Sequence, residues 1–383
     1  MKRSYIAKRF QKLEAALSLD SSLRSRFSDL IDLSIGDTDI VTDSRIIDAA
    51  MHDAKAGYTR YGDPKGDPQL VEAVCRAWQE DFGQAVAEDH VLVTASSCLG
   101  MSLVMLGILD PGDEVLVFGP YFGLYKEQIQ LAGGVCVEVP TLAEEGYALS
   151  PERLRAAVTP RTKAMIFNNP CNPTGKAYER SDLEIIAAAA REFDLLVAAD
   201  EIYTAYLCQG SYVPLRTLPG MAERTITLNS FSKNFLMTGW RVGYIIAEPE
   251  LLQVFSNING ALIYTAPSVS QRAALKALSL REEIRRQYVT RYLDRVRYSV
   301  ERIQKIPYLT LVPPGGTFYL FPGIEKTGLT AGEFCSVLLE KAHVMAAAGD
   351  AFGRAGEGHF RIACTVDMDT LKDAFDRMEA LVF

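Results

Sequence analysis

Between residues 90 and 247 the chain alternates short apolar runs with longer stretches whose apolar positions recur at helical spacing. The runs His90–Thr94, Glu114–Phe118, Val135–Val139, Ala164–Asn168, Leu195–Ala199, Thr225–Asn229 and Val242–Ala247 read as strands. Ser97–Leu109, Phe122–Leu131 and Glu179–Phe193 read as the helices between them. Strands interleaved with helices need crossover connections, so the class is α/β with a mostly parallel, buried sheet. Upstream, Leu70, Val71, Val74, Ala77 and Trp78 give a helix over Asp67–Phe82, and Ile6, Phe10, Leu13 and Leu17 give another near the start. The texture changes near Pro267. A long helical pattern runs to Glu301, followed by strand-like pieces at Leu309–Val312 and Thr317–Phe321 and helices at Thr330–Ala342 and Asp367–Leu381. This second region reads as a smaller α+β domain, joined by the N-terminal helix.

With 383 residues, 48% of them hydrophobic, there is material for two domains and a sizeable core. A net charge of −8 argues against a nucleic-acid partner, which rewards clustered Lys and Arg. The seven cysteines form no C-x-x-C pair, and their odd count does not suit a disulfide framework; free thiols in a reducing compartment are expected. The four histidines are too scattered to share a metal, so none is expected. MKRSYIAKRF is basic but lacks a following apolar core, and no apolar run has the length of a membrane span. The expected location is the cytoplasm.

Three segments carry chemistry, and each follows a predicted strand. Ser230-Phe231-Ser232-Lys233-Asn234-Phe235 precedes Gly239-Trp240-Arg241-Val242-Gly243. A lone lysine is ordinarily a solvated surface residue. At a strand end among Phe231, Phe235 and Trp240, with a second cation close in sequence, Lys233 can have a depressed pKa and form a Schiff base. Ser230 and Arg241 suit a phosphate. Asp200, in Ala199-Asp200-Glu201-Ile202-Tyr203, alone reads as a cap or turn. In an open α/β sheet, however, ligands bind at the carboxyl ends of strands, where Asp200 and Lys233 would converge. That pair fits a pyridoxal phosphate site, with a lysine for the aldehyde and an acid for the pyridine nitrogen. Asn168-Asn169-Pro170-Cys171-Asn172-Pro173-Thr174-Gly175 completes the set; its two Asn-Pro steps favour an extended, ordered loop.

In this order and spacing, over nearly the whole chain from about Leu33, these motifs resemble the class I/II aminotransferases of pyridoxal phosphate fold-type I. The resemblance implies a mostly parallel seven-stranded sheet sandwiched by helices in a large domain, residues 37–275. A smaller α+β domain would come from residues 1–36 and 276–383. It implies pyridoxal 5'-phosphate as cofactor and a ping-pong transfer from an L-amino acid to a 2-oxo acid, through an internal aldimine on Lys233 and pyridoxamine phosphate. Lys233 would shuttle the substrate proton, Asp200 would keep the pyridine nitrogen protonated, and Tyr203 and Asn172 would bond the ring's phenolic oxygen. Ser230, Arg241 and the backbone of Ala95, Ser96 and Ser97 would hold the phosphate. That turn departs from the family, many of whose members have two glycines there. Phe122 stands where the family often stacks a tryptophan on the ring. Arg361, in Phe360-Arg361-Ile362, would grip the substrate α-carboxylate, with Gly36 in the segment closing over the substrate. Tyr61 would reach a neighbour's phosphate across a homodimer interface. Pro314–Tyr319 also resembles a family segment, explained by turn and strand packing.

An aminotransferase is thus the leading expectation. A pyridoxal-phosphate C–S lyase would use the same Lys233, Asp200 and Arg241 and is the alternative. A non-catalytic ligand sensor is disfavoured, since about 35 residues precede the cofactor domain. A dinucleotide-binding oxidoreductase lacks its G-x-G-x-x-G. The donor amino acid stays open.

Overall fold

The computed structural model describes residues 5–6 and 26–383. The expected helix around Ile6–Leu17 lies outside the described residues apart from Ile6. Strands β1 (Ile31–Asp32), β2 (Val91–Thr94), β3 (Glu114–Gly119), β4 (Val135–Pro140), β5 (Thr162–Asn168), β6 (Leu196–Asp200), β7 (Thr225–Ser230) and β8 (Gly243–Ile246) come first. They are followed by β9 (Tyr319–Leu320), β10 (Val344–Met345), β11 (Ala347–Ala348) and β12 (Phe360–Ala363).

Seven of these form one sheet in the order β2-β8-β7-β6-β5-β3-β4. The neighbours from β7 to β4 are parallel, while β8 runs antiparallel to both β7 and β2. The central strands β3, β5, β6 and β7 are almost wholly buried, as two covered faces require. The helices used below are α1 (Ser44–Lys55), α2 (Pro68–Phe82), α3 (Ser97–Ile108), α4 (Leu124–Leu131), α5 (Arg180–Glu192) and α6 (Pro249–Leu262). After them come α7 (Ser268–Ser279), α8 (Thr290–Ile303), α9 (Ala331–Val337) and α10 (Met368–Glu379). One face of the sheet packs on α3, α4 and α6 through Leu103, Val104, Ile129 and Phe255. The other packs on α5 through Leu183, Ile186 and Ala190. At the β2–β8 edge, α1, α2 and α7 close a third apolar cluster around Trp78 and Val93.

A separate core lies in the C-terminal region. There α8, α9 and α10 enclose Val296, Phe334, Phe360 and Phe375 against the small antiparallel sheet β11-β12-β9. Segment 31–33 joins this body: β1 pairs in parallel with β10, and the Ala363 N–H donates to the Leu33 carbonyl at 2.8 Å.

Three expectations need correction. Leu309–Val312 forms no strand; Thr310 makes a single bridge with Gly323, and Pro313-Pro314 then remove two backbone donors. The pattern expected to run to Glu301 is interrupted at Leu280 and again by a π-turn over Arg285–Val289. The Thr330–Ala342 helix ends its α-helical part at Val337 and finishes as a π-turn over Leu338–Ala342. Spacing alone fits both patterns, because a π-turn keeps helical contacts while adding one residue to the ring.

Candidate active site

Strands β5, β6 and β7 end at one edge, with Asn168 beside Asp200 and Asp200 beside Leu228. The end of β2 shares that edge, Thr94 lying opposite Gly243. Asp200 is buried. Its Oδ2 accepts a 2.5 Å hydrogen bond from the Tyr125 hydroxyl, while its buried Oδ1 has no partner among the described residues. Burial pushes the Asp200 pKa up to about 6, against the hydrogen bonds from Tyr125 and the Ile202 backbone. Asn168 fixes the neighbouring loop: its Nδ2 donates to the Asp200 carbonyl at 2.9 Å and its Oδ1 accepts from the Asn172 N–H at 2.7 Å.

Lys233 sits in the short helical turn Phe231–Asn234 that follows β7. Its Nζ donates to the Gly36 carbonyl at 2.5 Å, and its own carbonyl accepts from the buried Tyr206 hydroxyl at 3.0 Å. Gly36 must be glycine, because a Cβ there would overlap the Tyr319 ring and hydroxyl. The Tyr203 hydroxyl donates to that of Tyr319 at 3.3 Å; burial, with Tyr319 next, raises the Tyr203 pKa well above its ordinary value.

Arg361 projects from β12 and is buried. Its Nη1 donates to Asn172 Oδ1 at 3.0 Å and its Nη2 to the Ser34 carbonyl, and its buried Nε has no partner among the described residues. The rings of Tyr319 and Phe352 lie 4.4 and 4.7 Å from the guanidinium carbon and fix its plane. Gly36, Phe122, Lys233, Tyr319 and Arg361 line one cavity of about 680 Å³. Phe122 meets Tyr125, the hydrogen-bond partner of Asp200, edge-on at 5.6 Å between ring centres.

The turn before α3 follows the end of β2 at the same sheet edge. Ser96 caps the helix, its Oγ accepting from the Leu99 N–H at 3.1 Å, and does so at φ 127°. Ala95 is partly buried there, and Ser97 opens the helix. A Cβ on Gly243 would come 2.8 Å from the Ser97 nitrogen and 2.7 Å from the Asn229 carbonyl, so only glycine lets β8 lie this close. The Ser230 hydroxyl donates to Ser232 Oγ at 2.9 Å and accepts from the Ser232 N–H at 3.0 Å. Arg241 is exposed, donates to the Thr238 carbonyl, and opposes the burial that raises the Cys98 thiol in the first turn of α3. It therefore stands near that helix start. Tyr61 is 85% exposed and does not line the cavity.

Of the residues singled out from sequence, Gly36, Phe122, Lys233 and Arg361 meet in one cavity; Asn172 is one contact away through Arg361, and Asp200 two, through Tyr125 and Phe122. Tyr125, Tyr206 and Tyr319 were missed. The order Phe122-Gly123-Leu124-Tyr125 reads as core helix, and only the fold brings Asp200 to it. Among the described residues no group of His, Cys, Asp and Glu is placed to hold a metal ion.

The donor set fits pyridoxal phosphate. Asp200 Oδ1 is an acceptor for a protonated ring nitrogen, Lys233 offers an amine, and the backbone at Ser96–Ser97 opens a helix that suits a phosphate. An amine and a buried carboxylate at the carboxyl edge of such a sheet, with a buried arginine lining the same cavity as the amine, suit amino-acid chemistry. Residues 28–378 match the family model described as aminotransferase class I and II, and the chain belongs to that family. It is an aminotransferase. It is 37% identical to an aspartate aminotransferase of Pyrococcus abyssi, over 92% of each chain. It is 36% identical to an arginine–pyruvate transaminase of Pseudomonas aeruginosa, over 90% of this chain and 88% of that one. The solved structure of Thermus thermophilus aspartate aminotransferase with maleate superposes with a TM-score of 0.91 at 32% identity, over 98% of this chain and 99% of that one.

Proposed function

We propose that the protein uses pyridoxal 5'-phosphate to move the amino group of an L-amino acid to a 2-oxo acid, in two half-reactions of a ping-pong cycle. The observation that carries this reading is the buried Asp200 Oδ1, which has no partner among the described residues while Oδ2 is held by Tyr125. A carboxylate in that setting is costly unless a cationic donor meets it, and a pyridinium N–H is such a donor. When bound, the cofactor supplies the aldehyde that receives the amino group and a ring that withdraws electrons from the substrate's Cα–H bond.

The chain's residues do the rest. Arg361 binds the substrate α-carboxylate, its Nε and Nη2 offering two parallel donors once Ser34 yields. Asn172, bonded to Arg361, couples that grip to the ring's phenolic oxygen, and Tyr203 serves the same oxygen. Lys233 removes the Cα proton and returns one on the other side of the transfer. Ser230, Arg241 and the N–H groups at Ala95–Ser97 hold the phosphate, and Phe122 covers the ring. Tyr61 reaches the site of a second copy, which makes a homodimer the working unit. The free state of all seven cysteines supports a reducing, cytoplasmic setting, and among the described residues no helix is long and apolar enough to cross a membrane.

The test is the visible spectrum of the purified protein with added pyridoxal phosphate, before and after single amino acids without oxo acid. A band that shifts, and returns when a 2-oxo acid is added, is expected. Lys233→Ala should bind the cofactor without that band and lose essentially all turnover. Pyruvate or ammonia accumulating under a persistent band would indicate elimination instead, and parental turnover by Lys233→Ala would remove the lysine from its role.

A further inference from the structure

The cavity that holds Lys233 and Arg361 extends along α9 and the strands after it. There its wall is formed by Cys335, Leu339, Met345, Ala346 and Ala351, with Ser336 among them. Two cations line it among the described residues, Lys233 and Arg361. Both are committed on the reading above, the first to the amino group and proton, the second to the α-carboxylate. The remaining charges on its wall are Asp37 and Asp350. Asp37 Oδ1 accepts from the Thr38 N–H and the Thr238 hydroxyl, at 2.9 and 2.6 Å. The Asp350 side chain makes no hydrogen bond or ion pair among the described residues; the residue is exposed, and its charge acts on Cys335.

From this wall we infer that the amino donor carries an apolar side chain, and that Asp350 is a specificity-determining residue acting against donors with a distal carboxylate. The inference rests on the aminotransferase reading. Two effects act in the same direction. A distal carboxylate entering this part of the cavity loses water against apolar carbon and meets no uncommitted cation among the described residues in return, whereas a leucine, methionine or phenylalanine side chain gains by burial. Asp350 adds like-charge repulsion. Because it is exposed, solvent and salt screen that repulsion, so desolvation is the larger effect and Asp350 the smaller. The names of relatives do not decide the matter. Those at similar identity include an aspartate aminotransferase and an arginine–pyruvate transaminase, so overall likeness does not fix the side-chain pocket.

The experiment is a single-turnover measurement on the holoenzyme. Methionine, leucine, phenylalanine, aspartate and glutamate are added one at a time without oxo acid, and the loss of the cofactor's visible band is followed by stopped flow. The best apolar donor should exceed aspartate and glutamate by roughly 100-fold in rate over apparent dissociation constant. Asp350→Lys should narrow that ratio by about tenfold and Asp350→Asn by less, as expected for a screened charge. Aspartate or glutamate reacting within about threefold of the best apolar donor would overturn the inference while leaving transamination intact. That result would mean that a cation other than the described ones lining the cavity reaches the pocket. A ratio unmoved in both Asp350 variants would remove Asp350 from its role. A band that no amino acid moves would instead sink the underlying reading, and this inference with it.

Discussion

Tyr125 and Asp200 lie 75 positions apart, both buried, and share one short hydrogen bond. Burial alone drives the Asp200 carboxyl upward, and the Tyr125 hydroxyl is the largest influence holding it down. Tyr125 thereby favours the ionised carboxylate and fixes one of its oxygens, so it is a positioning residue. The sign of the pH dependence follows. A folded-state pKa raised to about 6 means that Asp200 costs the cofactor-free protein stability as pH climbs from about 4 through 6. Tyr125→Phe removes the group that opposes this rise. The variant should lose about 1.5–3 kcal/mol at pH 8, where a buried charge has lost its donor, and less at pH 4.5. Urea unfolding of the cofactor-free protein at the two pH values reads this out, and its affinity for pyridoxal phosphate at pH 8 should fall in parallel. Equal losses at both pH values would reduce Tyr125 to a packing role. Nothing in the sequence around Tyr125 announces that role, because a tyrosine on the buried face of an amphipathic helix is ordinarily core.

At the scale of elements, what the sequence made legible was what local pattern controls. The ends of β5, β6 and β7 fall within a residue of the apolar runs that predict them, so the placement of Asn168, Asp200 and Lys233 was readable before any coordinates. Pairs set by the meeting of two bodies were not readable. Tyr203 and Tyr319 are 116 positions apart, and the segment holding Tyr319 has its own sufficient account as a turn and strand. The turn before α3 is an intermediate case. The sequence marks Ser96 as unusual, and the backbone shows the physical reason, a φ of 127° with ψ near 158°. That region is open essentially to glycine alone and costs other residues about 1–3 kcal/mol. Ser96→Gly relieves this cost, gives up a cap worth a few tenths of a kcal/mol relative to glycine, and adds unfolded-state entropy. The balance favours the variant by about 1 kcal/mol. A higher melting temperature of the cofactor-free protein is the expected result. A drop of similar size would show that the Ser96 hydroxyl contributes more through its bond to Leu99 than the backbone costs.

For the molecule as a whole, the surface near Tyr61 bears on assembly. Tyr61 lies edge-on to Tyr264, their ring centres 5.1 Å apart, and Leu262, Ile263 and Tyr264 at the end of α6 are all more than a third exposed. On the flank of the same helix, Val254 is 42% exposed, and Leu106 of the neighbouring α3 is 43% exposed. Single exposed apolar residues are ordinary, but a contiguous group on two packed helices is what an interface between copies leaves on an isolated chain. On the reading proposed above, a copy docked on this surface brings its Tyr61 to the neighbour's phosphate. The protein should therefore sediment as a dimer. Replacing both Leu262 and Ile263 by Glu should yield monomers that keep the fold and lose most cofactor affinity. Tyr61→Phe should leave the dimer intact and weaken pyridoxal phosphate binding by about 1.5–3 kcal/mol, the size of one lost hydrogen bond to a charged group. Sedimentation velocity and a cofactor titration on the same samples separate the two effects. A monomeric double variant with parental affinity and turnover would make each chain self-sufficient and remove Tyr61 from the site.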